Sequence, residues 1–233
     1  MVWRNGREEK MKKLVIVLLT TCLITDFVDA GAVITPVSSQ YHVWGGCDGE
    51  SYDTSSSDPV SGGCSGQVGG FWNTSESQAG RIDNKLQVNA QAVMYSYPEW
   101  SNTWAFAELT FTFTTDSPSI SLSFDGISAD HTFESWTYFV FKDVLNALVL
   151  DNRIWTFEFD NAYGEPPLPC QLSYLVFPGR EYSVTIGAHA MAGDGGIGLA
   201  SLDAILTPEP ASLLLMGLGV LLARKKVNSR HAV

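Results

Sequence analysis

The chain has 233 residues, a net charge of −11, 45% hydrophobic and 17% charged residues. That apolar content excludes an intrinsically disordered chain, and the acidic balance argues against nucleic acid or anionic lipid as partners. Four cysteines, seven tryptophans and twenty-one glycines point to a folded, turn-rich domain rather than a helical one.

Residues 12–30 read as a secretory signal. Lys12 and Lys13 form its positive end, and Leu14–Leu19 continue through Cys22, Leu23 and Ile24 as an apolar core too short for a permanent anchor. Val28-Asp29-Ala30 and Ala30-Gly31-Ala32 both offer small residues for cleavage, and Met11 is the more natural start. Thr21 ahead of Cys22 argues against a lipoprotein. Residues 1–30 are therefore set apart from a domain predicted over 31–206.

Between Gly31 and Thr207 there are 20 acidic and five basic residues, a net charge of −15. Such a surface favours solubility outside the cell and tolerates cations. Cys47 and Cys64 flank the polar stretch CDGESYDTSSSDPVSGGC, read as a loop. In an oxidising compartment a bridge between them stabilises by about 3 kcal/mol. Cys170 is either the odd residue or an alternative partner, since spacing does not fix connectivity.

From Tyr41 onward the pattern has period two. Tyr41, Val43 and Gly45 alternate with His42 and Trp44; Leu86, Val88, Ala90, Ala92 and Met94 share a face. Thr103–Thr115 is the clearest strand, with Ala105, Ala107, Leu109, Phe111 and Phe113 on one side and Trp104, Phe106 and Glu108 on the other. Ile120–Phe124 predicts a short strand ended by Asp125-Gly126, and Asp151-Asn152-Arg153 a tight hairpin turn. Leu172–Phe177, Tyr182–Ala188 and Gly198–Leu206 complete about ten strands. The class is all-β: an antiparallel β-sandwich or jelly roll. The last strand is expected to end just before Pro208, leaving residues 207–233 as a tail.

That tail begins with Pro208, Glu209 and Pro210. An uncharged apolar run, Ala211–Ala223, follows, and then the basic cluster Arg224, Lys225 and Lys226. As a helix, thirteen residues reach about 20 Å against a bilayer core of roughly 30 Å. That suits temporary insertion in a membrane, with the basic cluster left in the cytoplasm. The order of the three parts resembles the PEP-CTERM sorting signal. The resemblance implies an exported protein of a Gram-negative bacterium that makes extracellular polysaccharide. It also implies recognition of Pro208, Glu209 and Pro210 by a membrane protease-transpeptidase, exosortase, which removes the tail. More loosely, the run of final strands into the motif is similar to exported domains of carbohydrate-binding-module or lectin type.

Aromatic residues are the candidate binding groups. Exposed Trp and Tyr serve as platforms for the apolar face of a sugar ring. Tyr97, Trp100 and Trp104, beside Tyr95 and Asn102, form the expected platform, while Trp136 and Trp155 are assigned to the core. Ca²⁺ ligands are available from Asp125, Asp130 and Glu134, or from Asp48, Glu50 and Asp53, although turn capping accounts for the same residues. No other cofactor is called for. Catalytic motifs are poor: Gly62-Gly63-Cys64-Ser65-Gly66 fits a nucleophile elbow only on paper, and Glu108, Glu134 and Glu158 are carboxylates that a glycosidase could pair. The sequence reading is a non-catalytic surface or matrix protein associated with extracellular polysaccharide. The alternative is a polysaccharide-active hydrolase or lyase on a jelly roll.

Overall fold

A computed structural model describes residues 32–47, 49–68, 71–94, 103–130, 135–156, 168–193 and 196–209. The signal segment, Asp48, Tyr97, Trp100, Glu134, Glu158, Pro210, Arg224, Lys225 and Lys226 lie outside them. Every regular element among the described residues is a strand. In chain order these are β1 (Ile34–Cys47), β2 (Glu50–Ser56), β3 (Val60–Val68), β4 (Phe71–Ile82), β5 (Lys85–Met94) and β6 (Thr103–Thr115). They continue with β7 (Ser119–Asp130), β8 (Trp136–Asp143), β9 (Leu148–Thr156), β10 (Cys170–Leu175), β11 (Glu181–Ala192) and β12 (Ile197–Glu209).

The strands form two antiparallel six-stranded sheets, ordered β2-β1-β6-β11-β8-β9 and β10-β7-β12-β5-β4-β3. Alternation explains why the sheets face each other. On β6, Ala105, Ala107, Leu109, Phe111 and Phe113 are all buried while their neighbours are half-exposed. They share one core with Leu86 and Val88 of β5, Leu122 and Phe124 of β7, Phe139 and Phe141 of β8 and Leu202 of β12. Each large buried side chain contributes roughly 1.5–3 kcal/mol of transfer free energy. The phenol of Tyr182, buried among them, is satisfied by accepting the Phe177 amide at 2.9 Å.

Both open sides of this sandwich-like body are laced by a tyrosine. At one side Tyr52 of β2 shares hydrogen bonds with Ser75 (3.1 Å) and Ser77 (2.7 Å) of β4. The Cys47–Cys64 bridge joins β1 to β3 there, tying the two sheets together with Cα atoms 6.3 Å apart. At the other side Tyr174 of β10 donates to Asp151 of β9 at 2.6 Å. Burial raises the Asp151 carboxyl, but the Tyr174 hydroxyl, the Arg153 guanidinium and the Asn152 amide more than offset it, leaving it below its usual range. Burial and the Asp151 carboxylate both push the Tyr174 phenol up.

Four sequence expectations are corrected. The stretch between Cys47 and Cys64 is not a structureless loop: it supplies β2 and the first half of β3, paired to β1 and β4. The hairpin turn lies at 144–147, with Ala147 at positive φ, and Asp151-Asn152-Arg153 are inside β9. Asp143 fixes that turn, accepting from Asn146 and pairing with Arg180 at 2.9 Å. β7 runs through Asp125-Gly126 to Asp130, because β12 lies alongside it all the way. Finally, β12 does not stop before Pro208 but continues to Glu209.

Candidate functional site

The outward face of the first sheet carries the most distinctive chemistry. Antiparallel register sets Trp44 of β1 opposite Phe106 of β6, Phe106 opposite His189 of β11, and His189 opposite Trp136 of β8. One ring per strand, at about 4.8 Å per strand, gives a row roughly 14 Å across. Trp44 and Phe106 stack at 4.8 Å and 7°, and Phe106 and His189 at 3.8 Å and 22°. His42 extends the stack, 4.2 Å from Trp44. Spacings this close at such small angles mean that the rings stand face to face along the row.

Two tryptophans break the stack's orientation. Trp104 is turned 71° from Phe106 at 5.7 Å, and Trp136 80° at 6.3 Å. Trp104 spreads over Gly46, where any Cβ would sit 3.1 Å from the indole. The stack is thus a wall, and Trp104 and Trp136 are the rings that turn away from it. Trp44, Trp104, Phe106 and Trp136 all remain partly exposed.

Polar groups line the next row. Register brings together His42, Glu108, Gly187 and Tyr138. The Tyr138 ring crosses Gly187 so closely that a Cβ there would lie 2.1 Å from it. This places its hydroxyl to donate to Glu108. Burial, then the bond to Glu108 and its charge, push the Tyr138 phenol up. His42 bonds Asp53 of β2 at 2.8 Å. His189 is buried between Phe106 and Trp136. That burial lowers its pKa to about 4, so it is a neutral aromatic spacer at physiological pH. Its Nδ1 has no hydrogen-bond partner among the described residues.

Of the expected platform, Trp104 joins this site, while Tyr97 and Trp100 fall outside the described residues. Trp136 is not core: it faces outward in the ladder, whereas Trp155 is buried. Glu108 is bonded to Tyr138. Cys47 and Cys64 form the expected disulfide, and Gly62–Gly66 is mid-strand in β3. Asp125 lies on β7 opposite Asp203, whose carboxylate is taken up by Lys85 (2.8 Å) and Gln87 (3.1 Å). Asp130 ends β7. Among the described residues no group of three or more His, Cys, Asp or Glu is placed to hold a metal ion. Pro208 and Glu209 lie in β12.

The sequence reading missed Trp44, Phe106, His189 and Trp136 as one site. A signal existed in the aromatics on the supposedly polar side of β1 and β6. Their assembly depends on β11 lying between β6 and β8, which adjacency in the chain does not reveal.

Residues 206–226 match the family model for the PEP-CTERM protein-sorting motif. No curated protein matches the chain. The motif implies a protein exported and sorted by exosortase to the surface of a Gram-negative bacterium.

Proposed function

We propose that this PEP-CTERM protein, once exported and sorted, is a non-catalytic module that binds extracellular polysaccharide through the aromatic ladder of its first sheet. The observation that carries the reading is the row Trp44–Phe106–His189–Trp136, flanked by Trp104, on an outward sheet face. Sugar rings present an apolar face to aromatic side chains and hydroxyls to polar ones. Here Trp104 and Trp136 supply the aromatic surface, and Glu108, Tyr138, His42 and Asp53 lie beside it. A buried, neutral His189 and a hydrogen-bonded Glu108 suit binding better than acid–base chemistry. The architecture is that of a carbohydrate-binding-module-like jelly roll in this reading.

Position within the body supports it further. The ladder sits at the start of β6, near Trp104, whereas β12 reaches Glu209 beside Ser119, at the end where β6 finishes with Thr115. About nine residues of β6, roughly 30 Å, separate the ladder at Phe106 from that end. The ladder therefore lies near the end of the body remote from Glu209, where the tail begins.

The test is a glycan array and isothermal titration on the processed protein, with cell-derived matrix polysaccharide as ligand. The wild type should bind, and Trp104→Ala with Trp136→Ala should weaken binding at least tenfold while leaving the far-ultraviolet spectrum unchanged. Undiminished affinity in the double variant, or no binding by the wild type to any glycan, would sink the reading. Release of reducing ends or unsaturated sugars would favour a hydrolase or lyase instead.

A further inference from the structure

β12 carries the sorting motif into the sheet. It stays paired with β7 through Thr207↔Ser121, Pro208↔Ile120 and Glu209↔Ser119. Its other neighbour leaves earlier: the last β5 pair is Ile205↔Lys85, followed by the Leu206 amide donating to the Asn84 carbonyl at 3.0 Å. Among the described residues, the strand is paired from one side only from Thr207 onward. Because the Leu206 N–H points toward β5, alternation aims the amides of Thr207 and Glu209 at β7. The nitrogen of Pro208 falls on the side that β5 has left, so its missing N–H costs no bond to β7.

Three serines close on Glu209. The hydroxyl of Ser117 lies against the Glu209 backbone carbonyl. Ser173 of β10 donates to Oε1 at 3.1 Å, and Ser119 of β7 to Oε2 at 3.3 Å. Ser117 and Ser119 are themselves buried, and they are linked, the Ser119 amide reaching the Ser117 hydroxyl at 3.3 Å. This region lies on the opposite sheet from the aromatic ladder and plays no part in it.

We propose that the folded body is the first binding partner of its own sorting motif: Ser117, Ser119 and Ser173 cradle Glu209, and Thr207–Glu209 must peel from β7 before the sorting enzyme can take the segment. A processing enzyme that recognises an extended segment uses the backbone edge and side chains that β7 and the serines occupy. The contact therefore competes with processing. It is also built to open, since a strand end with one paired neighbour frays more readily than a central strand. Folding is thereby coupled to release: the tail is handed over from a frayed end while the rest of the sheet stays intact. The inference rests on the sorting motif and not on the polysaccharide reading.

Two measurements on the full-length protein test it. Pulse–chase in a Gram-negative host carrying exosortase follows tail removal. A triple variant, Ser117→Ala with Ser119→Ala and Ser173→Ala, should lose its tail three- to tenfold faster than wild type. Ser119→Thr with Ser173→Thr, which keeps the hydroxyls, should return to the wild-type rate. Hydrogen exchange on the purified, unprocessed chain needs no protease. Amides of Thr207 and Glu209 should be protected at least tenfold in the wild type, and that protection should fall in the triple variant while β6 amides are unchanged. An unchanged or slower tail removal in the triple variant overturns the proposal. So does exchange at Thr207 and Glu209 as fast as in an unfolded peptide.

Discussion

Phe106 is the centre of the ladder, and replacing it separates ring stacking from simple burial. It stacks on Trp44 and His189, and meets Trp104 and Trp136 near their edges. Aromatic pairs are worth about 0.5–1.5 kcal/mol beyond the area they bury. Two close stacks at about 1 kcal/mol each, counted without the edge contacts, put Phe106→Leu at about 2 kcal/mol destabilising. Phe106→Ala also gives up the half-buried ring's area, which brings it to about 3–4 kcal/mol. For a body of this size, 2 kcal/mol corresponds to a fall in Tm of about 4–8 °C. Urea unfolding at pH 7, followed by far-ultraviolet circular dichroism, measures both variants against wild type. Titration with matrix polysaccharide adds a functional readout, where Phe106→Leu should weaken binding about three- to tenfold because Trp104 and Trp136 lose the wall they lean on. A leucine variant within 0.5 kcal/mol of wild type and with unaltered affinity would refute the idea that these rings act together.

Other expectations follow from the same contacts. His189 has a folded-state pKa of about 4, below its unfolded value. The unfolded chain therefore binds the proton first, and stability is full above about pH 6.5 and falls as pH drops toward 4, by up to about 3 kcal/mol. His189→Phe should flatten that part of a stability–pH profile, and an unchanged slope would count against the assignment. Removing the Cys47–Cys64 bridge, whose partners are 17 residues apart, should cost about 3 kcal/mol and lower Tm by about 6–12 °C. Adding reductant to the wild type should reproduce the shift, and no response to reductant would contradict the bridge. Tyr174→Phe should lose about 1–2 kcal/mol by removing the hydrogen bond that carries Asp151 across to β10, read as a shift in the urea midpoint with an unchanged slope.

Local pattern decided much of this protein. The Thr103–Thr115 alternation alone predicts β6 with its bounds, because a strand buried on one face leaves a period-two record that needs no neighbour to be read. The Cys47–Cys64 pair was legible because few partners were available. The sorting motif was legible because Pro208, Glu209, Pro210, the apolar run and the basic cluster act as a linear signal, whose meaning lies in the order of its residues. Local pattern failed where a partner strand overrode a turn signal. Asp125-Gly126 and Asp151-Asn152-Arg153 read as turns by composition, yet pairing with β12 and β8 holds both extended.

What only the tertiary structure decided concerns residues brought together from distant strands. Trp44, Phe106, His189 and Trp136 come from four strands whose spatial order, β1-β6-β11-β8, differs from their chain order. No window along the chain contains them, and Trp136 read as core because outward and inward aromatics of β8 alternate without a polar contrast. The same holds for Glu209. Sequence identifies it as part of an addressing signal, but whether it hangs free depends on how far β7 extends beside β12 and on serines 36 to 92 residues away. A linear signal is fixed by covalent order. Its accessibility is fixed by non-local pairing, which becomes readable only when the sheet is assembled.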